Sequence, residues 1–163
     1  MAPKKLGGGE ATALPPLHEV VSELAPRKGA LSKLDLKLVE SLKTLEEKLR
    51  EHLSTRVSVN VDSRFEEGME WVEMLTFGKW DGRWQLLLES GDPGDPENWK
   101  TQPLVSASRE KRVEVLTSGA IEKVVREAVT QLDAQIAERE HAMKVANDLI
   151  TALTPGGDDD LPF

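Results

Sequence analysis

Two residues constrain this chain more than any others. Asp81-Gly82 separates two apolar, aromatic-rich runs, residues 70–80 and 83–89. A two-residue Asp-Gly loop between such runs predicts a β-hairpin with a type I′ turn, because both loop residues must take positive φ and the turn's twist matches that of its strands. The register follows: Trp80 lies opposite Arg83, Lys79 opposite Trp84, Phe77 opposite Leu86 and Leu75 opposite Leu88. Side chains alternate across a sheet, so this register also sorts the two faces. Leu75, Phe77, Trp84, Leu86 and Leu88 share one face, which must be the core side. Met74, Thr76, Trp80, Arg83, Gln85 and Leu87 share the other, a polar-to-amphipathic face free for other work.

Around the hairpin the pattern is helix, strand, hairpin, loop, helix. Val57, Val59 and Val61 alternate with Ser58, Asn60 and Asp62, the period of a half-buried strand. A charged connection, 63–69, follows. Upstream, Leu38, Leu42, Leu45 and Leu49 fall at 4-3-4 spacing in a helix expected over 32–54, with Ser32 as cap and Asp35 in its first turn. Residues 1–30 carry Gly7-Gly8-Gly9 and Pro15, Pro16 and Pro26, and read as a disordered arm. Downstream, 90–103 is a long loop with three prolines. Ser106 or Ser108 caps a short helix to about Thr117, Gly119 breaks it, and a second helix runs from about 120 to 153, roughly 50 Å long. Its apolar stripe is Ile121, Val125, Ala128 and Leu132, then a polar interruption at Gln135 and Arg139, then Met143, Ala146, Ile150 and Leu153. A helix that long overhangs a small domain and needs a partner, either the 32–54 helix or a second copy of the chain, and we expect a homodimer. The fold class expected is α+β: a small antiparallel β-meander flanked by helices, in one domain over 31–153, with a flexible acidic tail at 154–163.

Composition excludes several functions. Lys plus Arg is 21 against 29 for Asp plus Glu, a net charge of −8, so the chain is no uniformly basic nucleic-acid wrapper. There is no cysteine, hence no disulfide, thiolate metal site or cysteine nucleophile. His18, His52 and His141 are scattered without metal-ligand spacing. Asp92, Asp95 and Glu97 are interrupted by prolines and miss the calcium-loop pattern; Glu66, Glu67 and Glu70 have no nucleophile or base beside them. The chain reads as a non-enzyme without cofactor or metal. It contains no long apolar run and no secretory leader, so no membrane association is expected and a cytoplasmic, nucleoid-associated location is.

The C-terminal residues carry the strongest functional signal. After Thr154, Pro155, Gly156 and Gly157 come Asp158, Asp159, Asp160, Leu161, Pro162 and Phe163. Physically this is an acidic spacer ending in a rigid apolar hook, with a ring and, at a chain end, an α-carboxylate on one residue. It suits a partner pocket with an apolar floor and a basic rim. The aspartates speed the encounter and make it salt-sensitive. This segment closely resembles the acidic C-terminal tip of bacterial single-stranded DNA-binding proteins: Asp158–Asp160 match the acidic run, Leu161 the apolar position and Pro162-Phe163 the terminal pair. The resemblance covers about six of 163 residues. It implies recruitment of replication, recombination and repair enzymes. The body departs from that family, since three strands with flanking helices do not make its OB barrel. In element order alone, a sheet followed by a long helix looks like the non-OB single-strand binders of some archaea.

A sequence-tolerant single-strand binder needs aromatic platforms and a cationic track. All four tryptophans, Trp71, Trp80, Trp84 and Trp99, lie within 71–99, and cations interleave with or follow them. Trp71 and Trp84 are assigned to packing. Trp80 with Arg83 on the non-core face is the first stacking candidate, and Trp99 with Lys100 in the long loop the second. Lys79, Arg109, Lys111 and Arg112 complete the track. The expectation is a single-stranded DNA-binding protein that recruits partners through its tip. The alternative is an adaptor or competitor that uses the tip without touching DNA.

Overall fold

The computed structural model describes residues 14–156. They divide into two compact units, one ending at Leu42 and the other beginning at Lys43. The first holds α1 (Leu17–Ser22) and most of α2 (Leu24–His52). The second holds the end of α2, then β1 (Val57–Glu66), β2 (Met69–Trp80), β3 (Arg83–Gly91), β4 (Lys100–Pro103), α3 (Arg109–Thr117) and α4 (Ala120–Leu153). One-turn 3₁₀ helices at Pro96–Asn98 and Leu104–Ser106 flank β4.

The first unit corrects one expectation. Of the arm expected over 1–30, residues 17–22 and 24–30 are helical, and Ser32 sits inside α2 instead of capping it. The physical reason is local. Pro16 precedes the first turn of α1, and Pro26 lies in the first turn of α2, where a missing N–H leaves no helical bond unmade. Leu24, Ala25, Arg27, Lys28, Ala30 and Leu31 are otherwise strong helix formers, and Arg27 pairs with Glu23 four residues back. Residues 14–34 are all exposed.

In the second unit the four strands form one antiparallel sheet in the order β1-β2-β3-β4, a meander. The Asp81-Gly82 turn forms as expected, with φ of 51° and 74°, and it pairs Trp80 with Arg83, Lys79 with Trp84, Phe77 with Leu86 and Leu75 with Leu88. The 63–69 connection is instead a second hairpin. Glu67-Gly68 takes the same two conformations, φ 51° and 77°, and carries the β1–β2 pairing out to Glu66 opposite Met69. A bulge between Asn60 and Asp62 resets the alternation of β1 there. The loop expected over 90–103 also contains a strand: Lys100–Pro103 pairs with Leu87–Ser90 as the fourth of the sheet.

α4 lies along β1 and β2, and α3 packs on α4. Val115, Ala120, Val124 and Ala128 of these helices are buried, as are Val57, Leu75, Phe77, Leu86 and Leu88 of the sheet. Ser108 caps α3, its hydroxyl accepting the Lys111 N–H at 3.2 Å, and Gly119, at φ 79°, separates α3 from α4.

The opposite face is closed at its centre, which corrects the expectation of an open working face. Thr76 and Leu87 there are as buried as the core. Arg56, just before β1, reaches across β2 to grip both carboxylate oxygens of Glu89 on β3, at 2.6 and 2.8 Å. It passes over Gly78, where an added Cβ would stand 3.5 Å from an Arg56 Nη atom. The Ser58 and Thr76 hydroxyls share a hydrogen bond of 2.7 Å beneath. An arginine stem can cover apolar surface while its charged head stays in water.

The end of α2 solves an edge problem. β4 pairs only with Leu87–Ser90, so Trp84 and Leu86 of β3 point polar backbone groups toward no strand. Arg50 donates to the Trp84 carbonyl at 2.8 Å, and the Glu46 carboxylate takes the Leu86 N–H. A helix thus stands in for a strand at an exposed sheet edge. Glu46 is buried, with its second oxygen unpartnered, and burial pushes its carboxyl above the ordinary range despite Arg50 at 3.8 Å.

Candidate nucleic-acid interface

The expected track does not form one surface. Trp80 and Arg83 face each other at the β2–β3 hairpin tip, on the face away from α4. Trp80 remains 39% exposed and Arg83 is exposed, so this aromatic–cation pair is accessible. Lys79 and Trp84 occupy the same tip on the other face. The Lys79 ammonium lies 5.6 Å from the centroid of the Trp84 ring, which stacks on Phe77 at 5.6 Å and 20°. Trp84 is therefore a packing residue, as its parity predicts, and Lys79 is partly engaged by it.

Trp99 has a structural role. Its ring lies so close to Gly91 that a Cβ there would meet the indole at 2.8 Å, and its N–H donates to the Asp92 carbonyl at 2.7 Å. The indole closes the loop between β3 and β4 onto the sheet. Only at a glycine can a ring approach the backbone so closely. Lys100 follows it, exposed, opposite Ser90 at the far end of β3 from Arg83. Seven residues of strand, about 23 Å, separate those two cations.

The cations of α3 are largely committed to the fold. Lys111 bridges Glu73 at 3.1 Å and Glu114 at 3.0 Å. Partial burial opposes its charge, and the hydrogen bonds it donates to Glu114 and Glu73 outweigh that and raise its pKa. Arg112 donates to the carbonyls of Val105 at 3.2 Å and Ala107 at 2.5 Å, tying α3 to the segment before it. Arg109 is exposed in the first turn of α3. Glu73, and with it Lys111, belongs to the core face of the sheet, opposite Trp80 and Arg83. Eight residues thus resolve into an accessible tip (Trp80, Arg83, Lys79), a distant pair of exposed cations (Lys100, Arg109), and three structural residues (Trp99, Lys111, Arg112).

Sequence reasoning missed two exposed aromatic residues at the other hairpin, one on each face. At the Glu67-Gly68 turn, Phe65 is 79% and Trp71 41% exposed, beside exposed Met69. Trp71 lies opposite Arg64, which bonds Asp62 at 2.6 Å and holds that carboxyl below its ordinary range. Trp71 is therefore not the packing residue expected: it lies near the outer end of the β1–β2 hairpin and keeps much of its ring exposed. The available signal was Gly68 between two aromatic-bearing runs; Glu in place of Asn or Asp at position 67 hid it.

The partner-binding residues Asp158, Asp159, Asp160, Leu161, Pro162 and Phe163 lie outside the described residues. Among the described residues no group of three or more metal-binding side chains occurs, and no helix is long and apolar enough to cross a membrane. Comparison with protein-family models, curated proteins and solved structures gives no match.

Proposed function

We propose that this protein binds single-stranded DNA without catalysis and recruits proteins of replication, recombination or repair through Asp158–Phe163. The observation that carries the reading is the run Asp-Asp-Asp-Leu-Pro-Phe and its resemblance to the tips of bacterial single-stranded DNA-binding proteins. The body supports it with Trp80 opposite Arg83, an exposed ring beside an exposed cation at a hairpin tip. Stacking of one base on such a ring contributes about 1–3 kcal/mol. Trp71 and Phe65 are exposed at the other hairpin, one on each of its faces. The strand would pass over the Asp81-Gly82 tip, where Lys79 and Arg83 are the cations nearest the phosphates.

One observation favours the second reading, an adaptor or competitor that carries the tip and leaves DNA alone. Lys111 and Arg112 are spent inside the fold, Trp99 is packed, and the chain as a whole is acidic. Titration with oligo(dT), followed by tryptophan fluorescence at several salt concentrations, separates the two. The binder quenches with a steep salt slope, and Trp80→Ala reduces both affinity and quench. A flat trace at low salt leaves the adaptor.

A further inference from the structure

The long helix α4 carries an apolar seam that its own domain does not use. Ala120, Val124 and Ala128 bury one side against the sheet. A second line of residues begins one position later: 125, 129, 132, 136, 139, 143, 146, 150 and 153, a strict 4-3 alternation over four heptads. The first position of each heptad is Val129, Ile136, Met143 and Ile150. The fourth is Val125, Leu132, Arg139, Ala146 and Leu153. Val125, Val129, Leu132, Ile136, Met143, Ile150 and Leu153 are each 38–80% exposed. An apolar strip this long is not left bare on a soluble helix.

We infer that this seam binds a second copy of the chain as a parallel, two-stranded coiled coil. Three features select that occupant. β-Branched residues at three of the four first positions, with leucine at two of the fourth positions, favour two parallel strands. Flanking positions agree: beyond the part of α4 held by the sheet, parallel pairing sets Gln135 beside Glu140 and Ala142 beside Asn147, with no like charges opposed. Antiparallel overlap of the same heptads brings the acidic flanks Asp133 and Glu140 together. The third feature is a shallow trough that starts at Ile136, Arg139, Glu140 and Met143 and continues along Lys144, Asn147 and Asp148. Its first four residues form the hole for a fourth-position knob; in a parallel pair that knob is the second copy's Arg139, and the Glu140 of each copy offsets the two facing guanidinium groups. A single charged layer of this kind fixes register. The inference rests on α4 alone, so it stands or falls separately from DNA binding.

Sedimentation equilibrium of the full chain at about 20 μM tests it. The expected mass is 36.0 kDa, twice the 18.0 kDa chain. Ile136→Asp with Ile150→Asp should return 18.0 kDa and lower the helical circular dichroism, while Ala134→Asp, on the far side of the seam, should leave the dimer intact. Since the chain has no cysteine, Leu153→Cys reports orientation: parallel in-register helices form the 153–153 disulfide on mild oxidation. A monomeric wild-type chain, a higher oligomer, or a dimer in which the L153C variant fails to cross-link overturns the proposal.

Discussion

Replacing Gly91 by Ala tests whether Trp99 is part of the fold or a free platform. A methyl at that position would stand 2.8 Å from one indole carbon and 2.9 Å from another. The backbone at Gly91 is an ordinary strand with no positive φ, so alanine itself gains roughly 0.5–1 kcal/mol there. Against that stand overpacking, about 1–3 kcal/mol, and loss or bending of the Trp99–Asp92 hydrogen bond, about 1 kcal/mol. The net expectation is a destabilisation of about 1–3 kcal/mol, read as the shift in urea midpoint at unchanged slope. The same substitution in a Trp99→Ala background meets no ring, so its cost should vanish or change sign. The coupling energy of this double-mutant cycle should therefore reach at least about 1 kcal/mol. Additive effects would refute the reasoning, because they would mean that the ring does not occupy the space above Gly91.

Three other expectations follow from named contacts. Trp99→Phe, which keeps an aromatic side chain but deletes the N–H bound to Asp92 and part of the indole over Gly91, should lower stability by at least about 1 kcal/mol and leave oligo(dT) affinity unchanged, checked by urea melts and fluorescence titration. Burial raises the Glu46 carboxyl above 4.5, so above that pH the unfolded chain releases a proton that the folded one still holds, and stability falls as pH rises toward the raised value. Glu46→Gln removes that loss, so the difference in melting temperature between variant and wild type should move in favour of the variant as pH climbs from 4.5 to 7; a constant difference contradicts the burial argument. Arg56→Lys replaces a two-pronged grip on Glu89 by a single contact, and since Arg56 is largely exposed the expected loss is only about 0.5–1 kcal/mol, smaller at high salt.

Much of the fold was legible because local chemistry set it. Asp81-Gly82 fixed the central register, Ser108 and Gly119 placed the boundaries of α3 and α4, and the 4-3 pattern announced a long helix with an unused side. Three features were hidden. β4 is four residues long between two one-turn 3₁₀ helices and itself ends in a proline, and only pairing with β3 makes Lys100–Pro103 a strand. The closing of the second sheet face depends on Arg56 and Glu89, 33 residues apart, crossing a glycine whose value appears only in three dimensions. For the candidate site, sequence shows which residues are cations but not which are already neutralised: Lys111 meets Glu73 across 38 positions, a distance no local pattern encodes. The same blindness assigned Trp71 to packing, though it is 41% exposed, and made a stacking candidate of Trp99, whose ring lies against Gly91. The phase of the seam on α4 was also partly concealed, since Ile121 and Ala128 lie beside it and blur its first turns in the sequence.

The division of labour between body and tip is measured most directly with a labelled oligo(dT), whose fluorescence anisotropy is followed against the full chain and against a chain lacking residues 158–163. Equal or tighter binding after the deletion is expected, since Trp80 and Arg83 remain and six residues with three negative charges are gone. If the deletion abolishes binding, or if neither chain binds at low salt, the body does not hold the strand and the account of this protein as a single-stranded DNA binder is wrong.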